Sequence, residues 1–296
     1  MHNANILVTG SHRSGTTFVG KVLSMPPPID IVMEPFSKSI GMPQIDVWFP
    51  YIYSGAENEQ EMEFLVRELL DGRAKLGARS GVRAARKLLL RQSTSNSANR
   101  ILLKDPIAAL SSEWLAQRFG VKTVVVVRHP AAFAFSLRRL NWDPLDVLED
   151  LKKQSALLEN HLGEDLDVDV QSMTFTERSA LTWKCIYKVL FRFADRNEEM
   201  IVIRHESLCA FPERHFRQLY SLLDLDFSSA ISEKLATMTD GGNSIFARNN
   251  TVHDLNRDSR QLGKYFRSQI SDREMETIHN IVGETAASYY PDSDWI

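Results

Sequence analysis

Between Gly10 and Gly15 the chain reads Gly-Ser-His-Arg-Ser-Gly, and it continues with Thr16, Thr17 and Phe18. Small residues, hydroxyls and one guanidinium in so short a turn suit a cluster of negatively charged oxygens. Successive backbone N–H groups, with those left unpaired at the start of a following helix, point into one concavity that favours an anion. Arg13 adds a fixed positive fork, and Ser14, Thr16 and Thr17 add neutral hydroxyl donors. A second basic position, Arg128, is followed by His129 and Pro130 and, eight positions on, by Ser136. A cation at a strand end and a hydroxyl at that distance along the next helix can converge on one phosphate.

These residues need a scaffold, and the apolar pattern supplies one. Short apolar runs at 5–9, 29–33, 100–104, 122–127 and 200–204 read as strands. The run at 122–127 is continuous, as for a strand buried on both faces. Helical periodicity occupies 15–24, 59–72, 111–119, 131–140, 146–161, 176–197 and 212–223, with Pro130 near the first turn of the fourth. Such alternation implies an α/β fold of three layers, a central parallel sheet with helices on both faces.

The Gly10-to-Gly15 spacing looks like a Walker A loop, yet Thr16 stands where that loop carries lysine. The strand at 122–127 likewise ends in Arg128 instead of the aspartate that holds magnesium in nucleoside triphosphatases. Both departures argue against a P-loop small-molecule kinase. They leave open a non-catalytic nucleotide-binding module that keeps the fold without the chemistry.

With these motifs in hand, the chain resembles the sulfotransferases that use 3′-phosphoadenosine 5′-phosphosulfate, in particular the bacterial and carbohydrate types with their P-loop-like fold. Arg13-Ser14-Gly15-Thr16-Thr17-Phe18 is similar to their 5′-phosphosulfate loop. Arg128 and Ser136 match, in type and spacing, their 3′-phosphate pair. A third match runs from Ile203-Arg204-His205-Glu206-Ser207-Leu208 through Phe211-Pro212-Glu213 to the helix end at Leu222-Leu223-Asp224-Leu225, with Asp224 where the family has glycine. The resemblance implies sulfuryl transfer to a hydroxyl of a carbohydrate or other small-molecule acceptor, release of 3′,5′-adenosine bisphosphate and no metal. It also implies a basic C-terminal loop over the 3′-phosphate, near Arg257, Arg260 and Lys264, although the usual Lys-Gly pattern is only partly met at Gly263-Lys264.

An acceptor hydroxyl must lose its proton, so a base is expected near the sulfur. Glu34 is the first choice, since Ile-Val-Met-Glu-Pro-Phe sets a carboxylate at the C-terminal end of a strand, the edge where crevices open in parallel sheets. Several carbohydrate and bacterial sulfotransferases carry a similar glutamate as base. His12, inside the loop, is the runner-up, and Asp105 of Lys104-Asp105-Pro106 is a third candidate. His129 is expected beside the 3′-phosphate. Trp183 is expected in the core, Arg204 and Glu206 in a structural ion pair.

Composition sets outer limits. At 296 residues and 43% hydrophobic content, with no low-complexity linker, one domain spanning 1–296 is expected, with an irregular, lid-like segment at 240–268. A formal charge of −3 does not suit a nucleic-acid binder driven by excess positive charge. Residues 73–104 nevertheless contain no acid, and Arg79, Arg83, Arg86, Lys87 and Arg91 share a helical face, either solvated or forming a basic wall near the donor. Cys185 and Cys209 fall in no metal or disulfide pattern, and no stretch has the length of a bilayer span, so a cytoplasmic location is expected. The acceptor pocket is assigned to 37–58, 141–175 and 240–256, where Trp48, Phe49, Tyr51, Tyr53 and Trp142 either offer stacking or apolar surface or are packing residues.

Overall fold

The computed structural model describes residues 4–71, 100–240, 261 and 263–295. Five strands, β1 (Ile6–Gly10), β2 (Ile29–Met33), β3 (Arg100–Lys104), β4 (Lys122–Val127) and β5 (Met200–Arg204), form one parallel sheet ordered β2-β3-β1-β4-β5. Four of these lie where the apolar runs put them, and β1 is displaced by one residue. Every residue of β1 and β3 is buried. Their unalternating apolar sequence therefore matches strands covered on both faces.

The helices are α1 (Thr16–Leu23), α2 (Glu59–Leu70), α3 (Ser112–Phe119), α4 (Pro130–Arg138), α5 (Leu145–Lys152), α6 (Phe175–Arg196), α7 (His205–Ala210), α8 (Pro212–Leu222), α9 (Ser229–Thr239) and α10 (Asp272–Ala286). They divide between the faces as the period-two alternation of the strands demands. Leu7, Leu103, Val125 and Val127 join the larger core with Phe133 of α4, Trp183 and Tyr187 of α6 and Ile278 of α10. Ile6, Val8, Leu102, Val124 and Val126 join the smaller one with Val19 of α1, Phe216 of α8 and Leu235 of α9. Each fully buried Val, Leu or Ile contributes about 1.5–3 kcal/mol, so the central strands, more than any loop, anchor the fold.

Two departures from the sequence reading have local causes. The helix expected over 146–161 breaks after Lys152, because the Gln154 side chain accepts from Tyr51 N at 2.7 Å and donates to the Phe49 carbonyl at 3.2 Å. A short turn, Ser155–Leu157, then runs into a π-helical turn, Leu158–Leu162. Helices α7, α9 and α10 were not expected. The start of α10 carried a legible signal, a capping box in which Ser271 and Glu274 exchange side-chain-to-backbone hydrogen bonds.

The basic stretch at 73–91 and residues 241–260 lie outside the described residues. Among the described residues no helix is long and apolar enough to cross a membrane.

Candidate anion-binding and acceptor site

The loop after β1 is shaped by close backbone contacts. At Gly10 (φ 142°) a Cβ would sit 2.3 Å from the Val126 carbonyl oxygen, so only glycine lets β1 pass β4 at this point. Tyr187 of α6 bridges the same junction, accepting from Ser11 N at 3.1 Å and donating to the Val126 carbonyl at 2.8 Å. Ser14 spends both its groups inside the loop: its hydroxyl donates to the Ser11 carbonyl at 2.7 Å and its N–H to the same oxygen at 3.2 Å. Gly15 (φ 101°) precedes α1, and a Cβ there would lie 2.6 Å from Cδ2 of His205. The loop thus presents backbone where a side chain would obstruct, as an anion cradle requires.

Arg13 and Arg128 face one cavity. It has a volume of about 750 Å³, and His12, Arg13, Gly15, Thr16, Thr17, Phe18, Glu34 and Arg128 all line it. The Nε–H of Arg13 donates to Ser136 Oγ at 3.3 Å, and its guanidinium lies 5.6 Å from the centre of the Trp142 ring. From the end of β4, Arg128 Nη1–H donates to the Arg13 carbonyl at 2.8 Å, while the Arg128 carbonyl accepts from Trp183 Nε1–H at 2.8 Å. Trp183 is fully buried, as its helical spacing suggested. Burial lowers the Arg128 pKa from the usual arginine value, and the Glu206 carboxylate opposes that shift. Among the described residues the buried Nε of Arg128 has no hydrogen-bond partner. A cation that lines the cavity beside a glycine cradle fits a phosphate-bearing ligand.

At the opposite wall β2 and β3 deliver an acid and a base. Glu34 has left-handed backbone (φ 51°) and continues the ladder through its N–H to the Lys104 carbonyl at 2.9 Å. Its Oε1 accepts from the Lys104 ammonium. The Lys104 side chain is only 1% exposed, against 25% for Glu34, so the lysine is buried behind the glutamate. Gly20 of α1 makes room: a Cβ there would fall 2.8 Å from Lys104 Cγ.

The other candidates for the base have different surroundings. Asp105 is fully buried and does not line this cavity. Its Oδ2 accepts from Phe36 N at 2.6 Å, and its Oδ1 from Ile107 N at 2.9 Å and Ala108 N at 3.3 Å, which joins the turn after Glu34 to the turn after β3. Burial raises its pKa to about 7. His12 lies against Phe49, Phe133 and Trp142, with ring centroids 5.7, 5.2 and 6.4 Å away. Burial first, and then the Arg13 charge, lower its pKa to about 3, which leaves a neutral ring of little basicity.

Two expectations are corrected by the packing. His129 does not line the cavity. Its Nδ1 accepts from Ala131 N at 3.2 Å to cap α4, and its ring packs on Phe266, Tyr290 and Trp295 at 4.7, 4.9 and 4.6 Å. Arg204 and Glu206 do not pair, because Arg204 takes Asp294 at 2.6 Å while Glu206 accepts from His129 N at 3.0 Å and from the Tyr290 hydroxyl at 2.9 Å. Tyr51 and Tyr53 stack on each other at 5.2 Å and leave the cavity wall to Trp48, Phe49 and Trp142. Ser136, the partner of Arg13, is buried behind that wall. Lys264 is exposed and does not line the cavity, and Arg257 and Arg260 lie outside the described residues.

Ser37, Ser39 and the segment from Asn141 to Val147 line the cavity and fall within the stretches 37–58 and 141–175 assigned to the acceptor pocket, whereas Ile107 and His205 were given no place in the site. His205 sits inside the third motif, and its place against Gly15 was the part that spacing did not reveal.

No protein-family model and no curated protein matches this chain. Solved structures similar to it include the sulfotransferase domain from the Synechococcus PCC 7002 olefin synthase, at 15% identity and TM-score 0.49 over 96% of this chain and 94% of that one. Sulfotransferase STF9 from Mycobacterium avium is similar at 14% identity and TM-score 0.48, over 98% of this chain and 77% of its own. Mouse sulfotransferase SULT7A1, solved in complex with PAP, is similar at 14% identity and TM-score 0.43, over 99% and 86%.

Proposed function

We propose that this chain is a sulfotransferase that takes the sulfuryl group from 3′-phosphoadenosine 5′-phosphosulfate and gives it to a hydroxyl of a carbohydrate or other small molecule. One observation carries the reading: Arg13 and Arg128, from separate strand ends, line the same cavity and are joined by the Arg128-to-Arg13 hydrogen bond of 2.8 Å. A ligand with an anion at each end of an adenylate can engage both. The donor, when bound, supplies the transferable sulfuryl group.

The residues divide the work by position. Arg13 and the α1 start, with Thr16 and Thr17, stabilise the negative charge that builds on the departing phosphate, more in the transition state than before it. Arg128 binds the second phosphate, and Ser136 orients Arg13 from behind. Glu34 accepts the acceptor's hydroxyl proton. Lys104 engages only its Oε1, which leaves Oε2 as the oxygen to receive it. His12, neutral and weakly basic, is a poorer candidate. Trp48, Phe49 and Trp142 supply flat surface for a sugar ring or an apolar body.

Calorimetry with 3′,5′-adenosine bisphosphate in chelator tests the donor half of the reading, and transfer of labelled sulfonate to a panel of alcohols and sugars tests the rest. A requirement for ATP and magnesium would point to a kinase instead. Tight bisphosphate binding with transfer to nothing in a broad acceptor extract would favour the non-catalytic module.

A further inference from the structure

Arg128 occupies an expensive position. It is half-buried and has to present charge to the cavity, with the Glu206 carboxylate near it to balance the cation that desolvation disfavours. The residues immediately behind it come from the far end of the chain. Glu206, at the start of α7, is half-buried and accepts from the backbone N–H of His129, the residue after Arg128, at 3.0 Å. Its second oxygen accepts from the Tyr290 hydroxyl at 2.9 Å. Tyr290 is itself 1% exposed, lies 4.5 Å under the Arg204 guanidinium, and lends its carbonyl to Trp295 Nε1–H at 3.2 Å. Arg204 is held in turn by Asp294 at 2.6 Å.

We infer that Tyr290 is a positioning residue for the 3′-phosphate half of the donor site: through Glu206 it fixes both the backbone at which Arg128 leaves β4 and the negative charge that keeps the half-buried Arg128 cation in place. This rests on the reading that Arg128 meets the donor's second phosphate.

The chemistry of the contact gives it leverage. A buried carboxylate with two donors keeps its charge more readily than one with a single donor. Without the Tyr290 hydroxyl, Glu206 keeps its backbone donors, the His129 N–H among them, but loses its side-chain donor and moves toward its neutral form. A neutral Glu206 holds that N–H less strongly and no longer balances Arg128. The loop with Arg13 is held by Arg128 but also has a tie to β4 through Tyr187, so the 5′-phosphate end should feel less of the change than the 3′-phosphate end.

The test compares Tyr290→Phe with the wild-type chain by calorimetry, using 3′,5′-adenosine bisphosphate and adenosine 5′-monophosphate, which differ only in the 3′-phosphate. The expected result is a roughly tenfold rise in Kd for the bisphosphate with the monophosphate Kd held within about twofold. With a competent acceptor, donor KM should rise while kcat is nearly unchanged. Glu206→Gln, which keeps an oxygen acceptor but no charge, should show the same selective loss. Equal weakening of both nucleotides, or no change in either, overturns the inference. If the wild-type chain itself binds the two nucleotides equally, the reading of Arg128 fails and the inference with it.

Discussion

The Arg128 guanidinium grips the loop at Arg13, its Nη1–H donating to the Arg13 carbonyl oxygen at 2.8 Å. Arg13 has a left-handed backbone (φ 64°), which for an ordinary residue costs about 1–2 kcal/mol. A hydrogen bond from a charged donor contributes about 1.5–3 kcal/mol, enough to offset that cost. The two candidate anion-binding cations are therefore interdependent: one holds the backbone that aims the other.

Arg128→Lys should accordingly weaken bisphosphate binding by more than the loss of one phosphate contact. An ammonium has no planar fork, so it cannot clamp the Arg13 carbonyl and reach a phosphate in the same geometry. A rise of at least tenfold in Kd is expected by calorimetry, about 1.4 kcal/mol. An unaltered Kd would remove Arg128 from the donor site.

The Gly15–His205 contact gives a second test. In Gly15→Ala the new methyl lies 2.6 Å from His205 Cδ2 and the backbone stays at φ 101°. Bisphosphate binding should fall about a hundredfold. Adding His205→Ala removes the clash but not the strained φ, so the double variant should recover only part, to within roughly tenfold of wild type. Full recovery would mean that the left-handed turn itself is unimportant.

What the sequence made legible is what local rules decide. The strands followed, to within one residue, from short apolar runs, and the tight loop after β1 followed from Gly10, Gly15 and the small polar residues between them. Less legible were contacts between distant segments, since two side chains of the right type do not announce their distance. Arg204 and Glu206 are adjacent enough to suggest a pair, yet residues 290 and 294 claim them separately. His129 carried a basic label from its place beside Arg128, but Phe266, Tyr290 and Trp295 surround it. The helix break at Gln154 depended on unpaired backbone groups in the 49–51 loop, which no periodicity encodes. Glu34 is intermediate: its strand-end position was readable, whereas its pairing with the buried Lys104 was not.

Glu34→Gln separates proton transfer from binding. The amide retains an oxygen for the Lys104 ammonium, so the wall of the cavity should hold its shape, but it cannot take a proton. Bisphosphate affinity should stay within about twofold, while the rate of sulfonate transfer falls on the order of a hundredfold. Single-turnover measurement with labelled donor is the check, and an unchanged rate would exclude Glu34 as the base.

His129 predicts how stability responds to acid. Burial, reinforced by the Arg267, Arg204 and Arg128 charges, lowers its pKa from 6.5 to about 3, so the fold favours the neutral ring. The unfolded chain binds a proton near pH 6.5 that the folded chain refuses until about pH 3. Stability from this site is thus complete above about pH 6.5 and is lost as pH falls between those values, at roughly 1.4 kcal/mol per pH unit. His12, lowered to about 3, and His161, lowered to about 4, act in the same direction. His129→Asn keeps a side-chain acceptor for the start of α4 but has nothing to titrate. Its stability at neutral pH should be lower, because the ring's packing is lost. Its further decline from pH 6.5 to pH 5 should be smaller than that of wild type by about 2 kcal/mol. Urea titrations at the two pH values measure both declines, and equal declines would mean that the ring protonates in the folded chain without resistance.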